Sequence, residues 1–420
     1  MTTTTVLTPV AAGERIEAMD VLRGFALLGI LLMNIEAFVG PLFAAITGLD
    51  PSLRGADRAA DSLIYIFVQG KFYTLFSLLF GMGFAVMIAR AHAADRAFVP
   101  FYLRRTLALL GFGLVHALLV WSGDILTVYA LIALVLLLFR NTPQSRLPKW
   151  GIALYLVPVA LMLAFGLLST VAQGDPQAAA AMNASLAEQG RIMDEALQGQ
   201  RQAYGSGSYA EAVAQRAEDL MLFLGHVGTA MGWQILGLFL LGAWFVRSGA
   251  IARPDGFPRL YAWMRWVALP AGLAMALASF WLMPTMDYAR MDMAAGGAIA
   301  LSMVGSLLMC LGYAAWLVRG LQSPRWAGSL GWLAPAGRMA LTNYLTQSVV
   351  CTLLFYGYGL GYFEQLSRAW QVPFVLALFA LQVVASRAWL SRFRYGPAEW
   401  VWRALTYGQL PAMRAVAPAH

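Results

Sequence analysis

The sequence predicts an all-α polytopic membrane protein, a transmembrane helix bundle of about ten spans. Three observations carry that reading. Apolar runs of membrane-spanning length recur along the whole of the 420 residues; 60% of the residues are hydrophobic and only 12% charged, where a soluble domain carries roughly 25%; and the Lys and Arg residues sit between the runs. Mean hydropathy is +0.65. The net charge of +8 is thus spread over connecting segments, where it sets topology. No stripe that would bind nucleic acid forms.

Met1 to Met19 is polar and Thr-rich. It lacks the basic start of a cleaved signal peptide, and the run after it is long enough to remain as an anchor. That first run, 20–42, carries Arg23 and Asn34, eleven residues apart. They share one helical face with a rise of roughly 16 Å between them, and polar groups inside a bilayer face a cavity or a partner helix.

The second run, 61–90, contains Gln69-Gly-Lys-Phe-Tyr73. Gly70 is a candidate break, and Lys71 is expected to meet an internal partner or an anionic ligand. The third, 101–121, opens with Arg104 and Arg105 and carries His116. Only Ser122-Gly123 separates it from the fourth, 124–140, so a tight hairpin is expected with Asp124 as helix cap. The fifth is 149–172.

Residues 173–215 are rich in Ala, Gln and Glu with a break at Gly205–Ser208, which reads as an outer cap of two short polar helices. The sixth run, 217–247, aligns His226, Thr229, Trp233 and Gly237, and Gly237 is a second candidate break. The seventh and eighth are 262–285 and 296–319. The ninth, 337–359, starts at Arg338 and places Thr342, Asn343, Thr346 and Gln347 on about 140° of one face. The tenth is 366–391. Gly396-Pro397 then starts an amphipathic segment with Trp400, Trp402 and Arg403, suited to lie at the interface. The domain reading is a single transmembrane domain over 1–392, followed by an interfacial helix and tail over 393–420.

With the N-terminus in the cytoplasm, 21 of the 29 basic residues fall on inner segments, seven on outer ones, and Lys71 within a span. Both termini are therefore expected inside. Cys310 and Cys351 lie in apolar runs and read as packing residues. GxSxG, HExxH and P-loop patterns are absent, and no cluster has metal-ligand spacing, so no metal is expected. His116 is the candidate general base, with Asp124 beside it. Arg23, Asn34, Lys71, His116, Asn343 and Gln347 are expected to converge on one pocket.

Several stretches resemble the bacterial YeiB-like family, filed as a domain of unknown function. They are Leu22-Arg-Gly-Phe-Ala-Leu-Leu-Gly-Ile-Leu31, Gly70-Lys-Phe72, His116-Ala-Leu-Leu-Val-Trp-Ser-Gly-Asp-Ile-Leu126, Gly337-Arg-Met-Ala-Leu-Thr-Asn-Tyr-Leu345, Arg394-Tyr-Gly-Pro-Ala-Glu-Trp400 and Thr406-Tyr-Gly408. The family is distantly similar to transmembrane acyltransferases of the acyltransferase-3 and heparan-alpha-glucosaminide N-acetyltransferase types. Arg23 with Asn34 resembles the Arg-x10-His motif of the former, with Asn in the histidine position.

The resemblance implies an acyltransferase-like bundle in the bacterial inner membrane, an acyl-CoA donor, and a sugar or lipid acceptor. The chemistry itself sets the residue needs: the donor's phosphates call for arginines, with Arg23, Arg104, Arg105 and Arg338 as candidates; His116 is the available base, with Asp124 or Glu36; and Asn34 or Asn343 is the candidate to face the oxyanion. The rival reading is a transporter or flippase of a small polar or amphiphilic molecule, with Lys71 and the ninth-run stripe of Thr342, Asn343, Thr346 and Gln347 as its site. A scaffold without turnover is the third. Membrane lipid is an expected partner under each, and a homo-oligomer fits them all.

Overall fold

The computed structural model describes residues 16–287 and 290–414, the side chain of Thr229 excepted. The Thr-rich stretch through Arg15 and the last six residues of the tail fall outside the described residues. Among those described there is no strand; isolated bridges tie Gly48 to Thr285 and Phe393 to Arg414. Seven helical segments are long and apolar enough to cross a membrane, and three shorter apolar helices, Leu126–Phe139, Gly232–Arg247 and Ala340–Phe355, complete the runs read from the sequence.

The elements follow local chemistry closely. Helix α1 (Glu17–Val39) has Glu17 and Asp20 in its first turn, where acids complement the positive helix end. After a single turn, α2 (Leu42–Ala45), the second run appears as α3 (Gly55–Phe67) and α4 (Lys71–Ala93). Gly70 takes φ +84° between them, a left-handed conformation natural to glycine, so the expected break is present.

Next come α5 (Phe98–Leu119) and α6 (Leu126–Leu136). The N-cap position of α6 falls to Ile125, and Asp124, one residue earlier, still serves the helix start, its carboxylate accepting from the Thr127 N–H at 2.6 Å. Helix α7 (Leu147–Ala172) leads to α8 (Pro176–Gly205) and α9 (Tyr209–His226), started by the Asp175 cap and a Ser208/Glu211 capping box.

Two expectations are corrected here. The polar cap is not a pair of short helices: α8 runs 30 residues, because Ala, Gln and Glu propensity over the stretch outweighs Gly190 and Gly199 at about 1 kcal/mol each. Gly237 is not a break. The irregularity is a π turn at Val227–Met231 leading into α10 (Gly232–Arg247), and Gly237 instead lets α10 approach Gly151 of α7.

The rest comprises α11 (Pro258–Trp263), α12 (Leu269–Leu282), α13 (Met293–Leu321), α14 (Pro324–Gly331), α15 (Ala334–Arg338), α16 (Ala340–Phe355), α17 (Arg368–Leu390) and α18 (Pro397–Tyr407). Proline opens α18 in its first turn, as read from Gly396-Pro397.

Helix α1 packs on α4, α13, α15, α16 and α17, with Val21, Leu22, Ala26, Leu27 and Ile35 fully enclosed. Its crossing with α15 positions the site. A Cβ on Gly337 would lie 1.9 Å from the Asp20 carbonyl, and one on Gly24 would lie 2.2 Å from that of Leu333. The two backbones therefore touch, as small residues permit in membrane bundles, and Arg338 is brought beside Asp20 and Arg23. At the other end of α1, the Val39 carbonyl accepts from Glu364 N–H near α2 and α8.

Candidate functional site

A cavity of about 330 Å³ opens among α1, α4, α5, α6, α15, α16 and α18. Along α1 it extends from Ile16 to Ile30, about 21 Å of helix. Its depth is apolar: Leu27 and Ile30 of α1, Phe76 and Phe80 of α4, Leu109 of α5, Leu126 and Tyr129 of α6, and Leu341 and Tyr344 of α16. Its mouth is basic. Arg23, Arg90, Arg105, Arg338, Arg394 and Arg403 line it, with Asp20 and Glu399 as the lining acids among the described residues.

Both acids are engaged. Asp20 holds Arg23 at 2.8 Å. Glu399 accepts from the Leu341 and Thr342 N–H groups at 2.7 and 3.1 Å and from the Thr342 hydroxyl at 2.5 Å, so α18 caps α16. Burial pushes the Glu399 carboxyl above the ordinary range, and the bonds from Thr342 and Leu341 offset part of that. Among the described residues the lining carries more guanidinium groups than carboxylates, which favours an anion at the mouth, and the apolar depth suits a chain. The space fits an anionic amphiphile.

Beyond the inner wall stands a histidine–carboxylate pair. His116 Nδ1 lies 2.9 Å from Asp124 Oδ1, with both side chains buried. The pair forms because the α5–α6 hairpin is short and Asp124, at the start of α6, turns its second oxygen to Thr127. Among the described residues, buried His116 Nε2 has no hydrogen-bond partner. The ring sits 5.2 Å from that of Tyr344, which lines the cavity and whose hydroxyl accepts from the Ile125 N–H at 3.4 Å. A carboxylate on Nδ1 selects the tautomer that leaves Nε2 as acceptor.

Sequence reasoning missed what holds this hairpin. Ser122 donates to Asp219 at 2.9 Å, Tyr204 donates to the same oxygen, and Arg216 Nη1 donates to the Leu119 carbonyl at 3.2 Å. Arg216 and Asp219 are fully enclosed. Both belong to α9, at the junction of the outer segment and the sixth run, and only their packing onto the hairpin reveals the role.

The predicted residues divide. Arg23, Arg105 and Arg338 line the cavity, and His116 with Asp124 lies behind Tyr344. Arg104 is exposed and is not among the lining residues. Asn34 is half-buried, one turn past Ile30. Lys71 is buried, donating to the Tyr65 carbonyl at 3.1 Å. Asn343 donates to Ser386 of α17 at 2.9 Å and to the Ala336 carbonyl. Gln347 donates to Gln382 at 2.8 Å, and Gln382 donates to the Asn343 carbonyl.

The expected convergence of six residues is therefore corrected, since of that set only Arg23 lines the cavity. Polar groups in an apolar bundle bond to the nearest helix, and the ninth-run stripe serves as an α16–α17 seam. His226 and Trp233 are exposed. Cys310 and Cys351 are buried and free. Among the described residues no group of three His, Cys, Asp or Glu could hold a metal ion.

A second cluster also escaped the sequence. Arg368, at the start of α17, binds Glu36 of α1 and Asp61 of α3, each at 2.9 Å, and Gln371 at 2.7 Å. It lies at the end of α1 away from the cavity and ties three helices together.

The family model described as "Protein of unknown function (DUF418)" matches residues 245–409. The chain is 35% identical over 419 residues to the uncharacterized protein YxaH of Bacillus subtilis, covering 96% of each. It is 35% identical over 417 residues to the uncharacterized protein YeiB of Escherichia coli, covering 97% of this chain and 98% of that one. An uncharacterized 39.9 kDa protein from the amylase 3' region of Bacillus acidopullulyticus is 28% identical over 404 residues, 96% of each chain. No solved structure matches. With relatives of this identity over nearly full length, the chain belongs to the YeiB-like, DUF418 family of membrane proteins.

Proposed function

We propose that the protein is a membrane acyltransferase that takes an acyl group from a CoA-type thioester and passes it to a hydroxyl or amine acceptor, a sugar or a lipid. One observation carries the reading: an arginine-lined, apolar-bottomed cavity ends on Tyr344, directly against a buried His116–Asp124 pair with Nε2 unpartnered among the described residues. In this reading Asp124 fixes the imidazole, and Nε2 takes the proton of the acceptor as its oxygen or nitrogen bonds to the acyl carbon. The C–S bond then breaks, and the leaving thiolate recovers the proton from Nε2. Tyr344 has to swing aside for the acyl group to reach His116. Asn34, one turn beyond the cavity on α1, takes the oxyanion role.

The same proposal places the protein in the bacterial inner membrane with both termini and the cavity mouth cytoplasmic, as the 21-to-7 split of basic residues supports. The α8–α9 end then faces outward. A Cys at Ser206 is expected to react with an impermeant maleimide in intact cells and one at Ser323 to stay unlabelled.

A second reading, transport of an anionic amphiphile, is favoured by a different observation: the α3–α4 helix is interrupted at Gly70, and Lys71 is buried beside the interruption. Broken helices of this kind surround transporter sites. Purified protein with radiolabelled acetyl-CoA decides between them. Acyl transfer predicts thioester turnover that is lost in His116→Ala. Binding without turnover, together with flux of the probe in proteoliposomes, overturns it in favour of transport.

A further inference from the structure

We infer that the C-terminal helix α18 is part of the ligand site, and that Arg105 stacked on Trp402 is a seat for a phosphate group attached to an apolar chain. The inference rests on the cavity being the ligand site and goes further, naming the anchoring pair and the chemistry it selects.

The Arg105 guanidinium carbon lies 3.6 Å from the centre of the Trp402 ring, and the indole N–H donates to the Arg105 carbonyl at 2.9 Å. One tryptophan thus grips both the backbone and the side chain of the same arginine, across 297 residues of sequence. Both residues line the cavity. Among the described residues Arg105 has no carboxylate partner in an ion pair, unlike Arg23 with Asp20. Stacking on an indole leaves the in-plane N–H donors of a guanidinium available, and it fixes their direction.

Trp402 is itself held in place. Glu399, one turn earlier on α18, is fastened to the start of α16 by three hydrogen bonds, and α18 packs along α5. The plate behind Arg105 is therefore rigid, and a flat, pre-aimed guanidinium suits the paired oxygens of a phosphate. One turn deeper on α5 is Leu109, which with Leu27, Leu126 and Tyr344 forms the apolar wall. Phosphate at Arg105 and chain towards Tyr344 is the register that the lining imposes. A nucleotide thioester and a lysophospholipid share this chemistry.

Isothermal titration of the purified full chain in neutral detergent tests it with three probes: palmitoyl-CoA, palmitoyl lysophosphatidate and palmityl alcohol. The phosphorylated probes are expected to bind more tightly than the alcohol. Arg105→Gln is expected to weaken the phosphorylated probes by about ten- to a hundredfold, the worth of a charge-assisted hydrogen-bonded contact, and to leave the alcohol unchanged. Trp402→Leu should weaken the same probes less, since the charge remains without its plate. Arg104→Gln, exposed beside the site, should change nothing.

If Arg105→Gln unfolds, Arg105→Lys keeps the charge and loses the flat stack, and a selective loss for phosphorylated probes is again expected. Binding of both phosphorylated probes, or of palmitoyl-CoA alone, supports the inference. Binding of lysophosphatidate alone supports it too, with a lipid as the source, and removes the CoA donor while leaving the phosphate seat standing. Equal affinity for the alcohol, or unchanged affinity for phosphorylated probes in Arg105→Gln and Arg105→Lys, overturns it.

Discussion

Two glycines that line the cavity, Gly83 and Gly337, give a sharp test of where ligand binds. Gly83 of α4 lines the cavity, and a Cβ placed there meets nothing within 4 Å. Gly83→Trp therefore grows into open space and replaces the poorest helix former but proline, a gain of about 0.5 kcal/mol. The indole occupies much of a cavity of about 330 Å³. Stability is expected to hold or rise slightly, while binding of palmitoyl-CoA is lost. Gly337→Ala is the opposite case. Its Cβ would lie 1.9 Å from the Asp20 carbonyl oxygen and 2.7 Å from the Gly24 nitrogen, both backbone atoms that no rotamer change can move. The α1–α15 crossing must spread, at about 1–3 kcal/mol for overpacking, while the cavity stays open. Denaturant unfolding in mixed micelles reads the stability of each variant, and titration reads its affinity. Wild-type affinity in Gly83→Trp would refute the cavity as the binding site. Wild-type stability in Gly337→Ala would refute the close helix crossing that positions it.

His116→Ala is expected to lower thioester turnover by about 100- to 10,000-fold, the worth of a general base, with donor affinity kept. Single-turnover kinetics beside titration separate the two quantities. Arg368→Met should destabilise the protein by about 3 kcal/mol, because the enclosed Asp61 carboxylate and the half-buried Glu36 lose their shared partner; a chemical denaturation curve like that of wild type would contradict it. Asp219→Ala strands Ser122 and Tyr204 and frees the hairpin that carries His116 and Asp124, so turnover should fall more than donor affinity does. Glu399 gives a pH signature. Its carboxyl is raised by burial in the fold, so its contribution to stability is fully present below the ordinary carboxylate value and is lost as pH rises through the elevated one. Glu399→Gln should flatten that part of the stability profile, and an unchanged pH slope counts against the assignment.

The sequence alone determined the class, the ten runs and much of the local detail. Gly70 as a helix break and Asp124 and Pro397 at helix starts were legible because each depends on a residue's own backbone chemistry and its immediate neighbours. The pairing of His116 with Asp124 was within reach for the same reason, eight residues apart across a tight hairpin. The tertiary structure decided which polar groups serve a cavity and which hold helices together. Asn343 and Gln347 have the same helical stripe in either role, and only the neighbouring Ser386 and Gln382 of α17 make them a seam. Arg105 and Trp402 lie 297 residues apart, and Arg368 and Asp61 lie 307 apart, so no local pattern joins them. Hydropathy records that a polar group in an apolar run needs a partner; which partner it finds depends on helix crossings, and those are set by glycine contacts such as Gly24 on α15 and Gly337 on α1, between segments far apart in the chain.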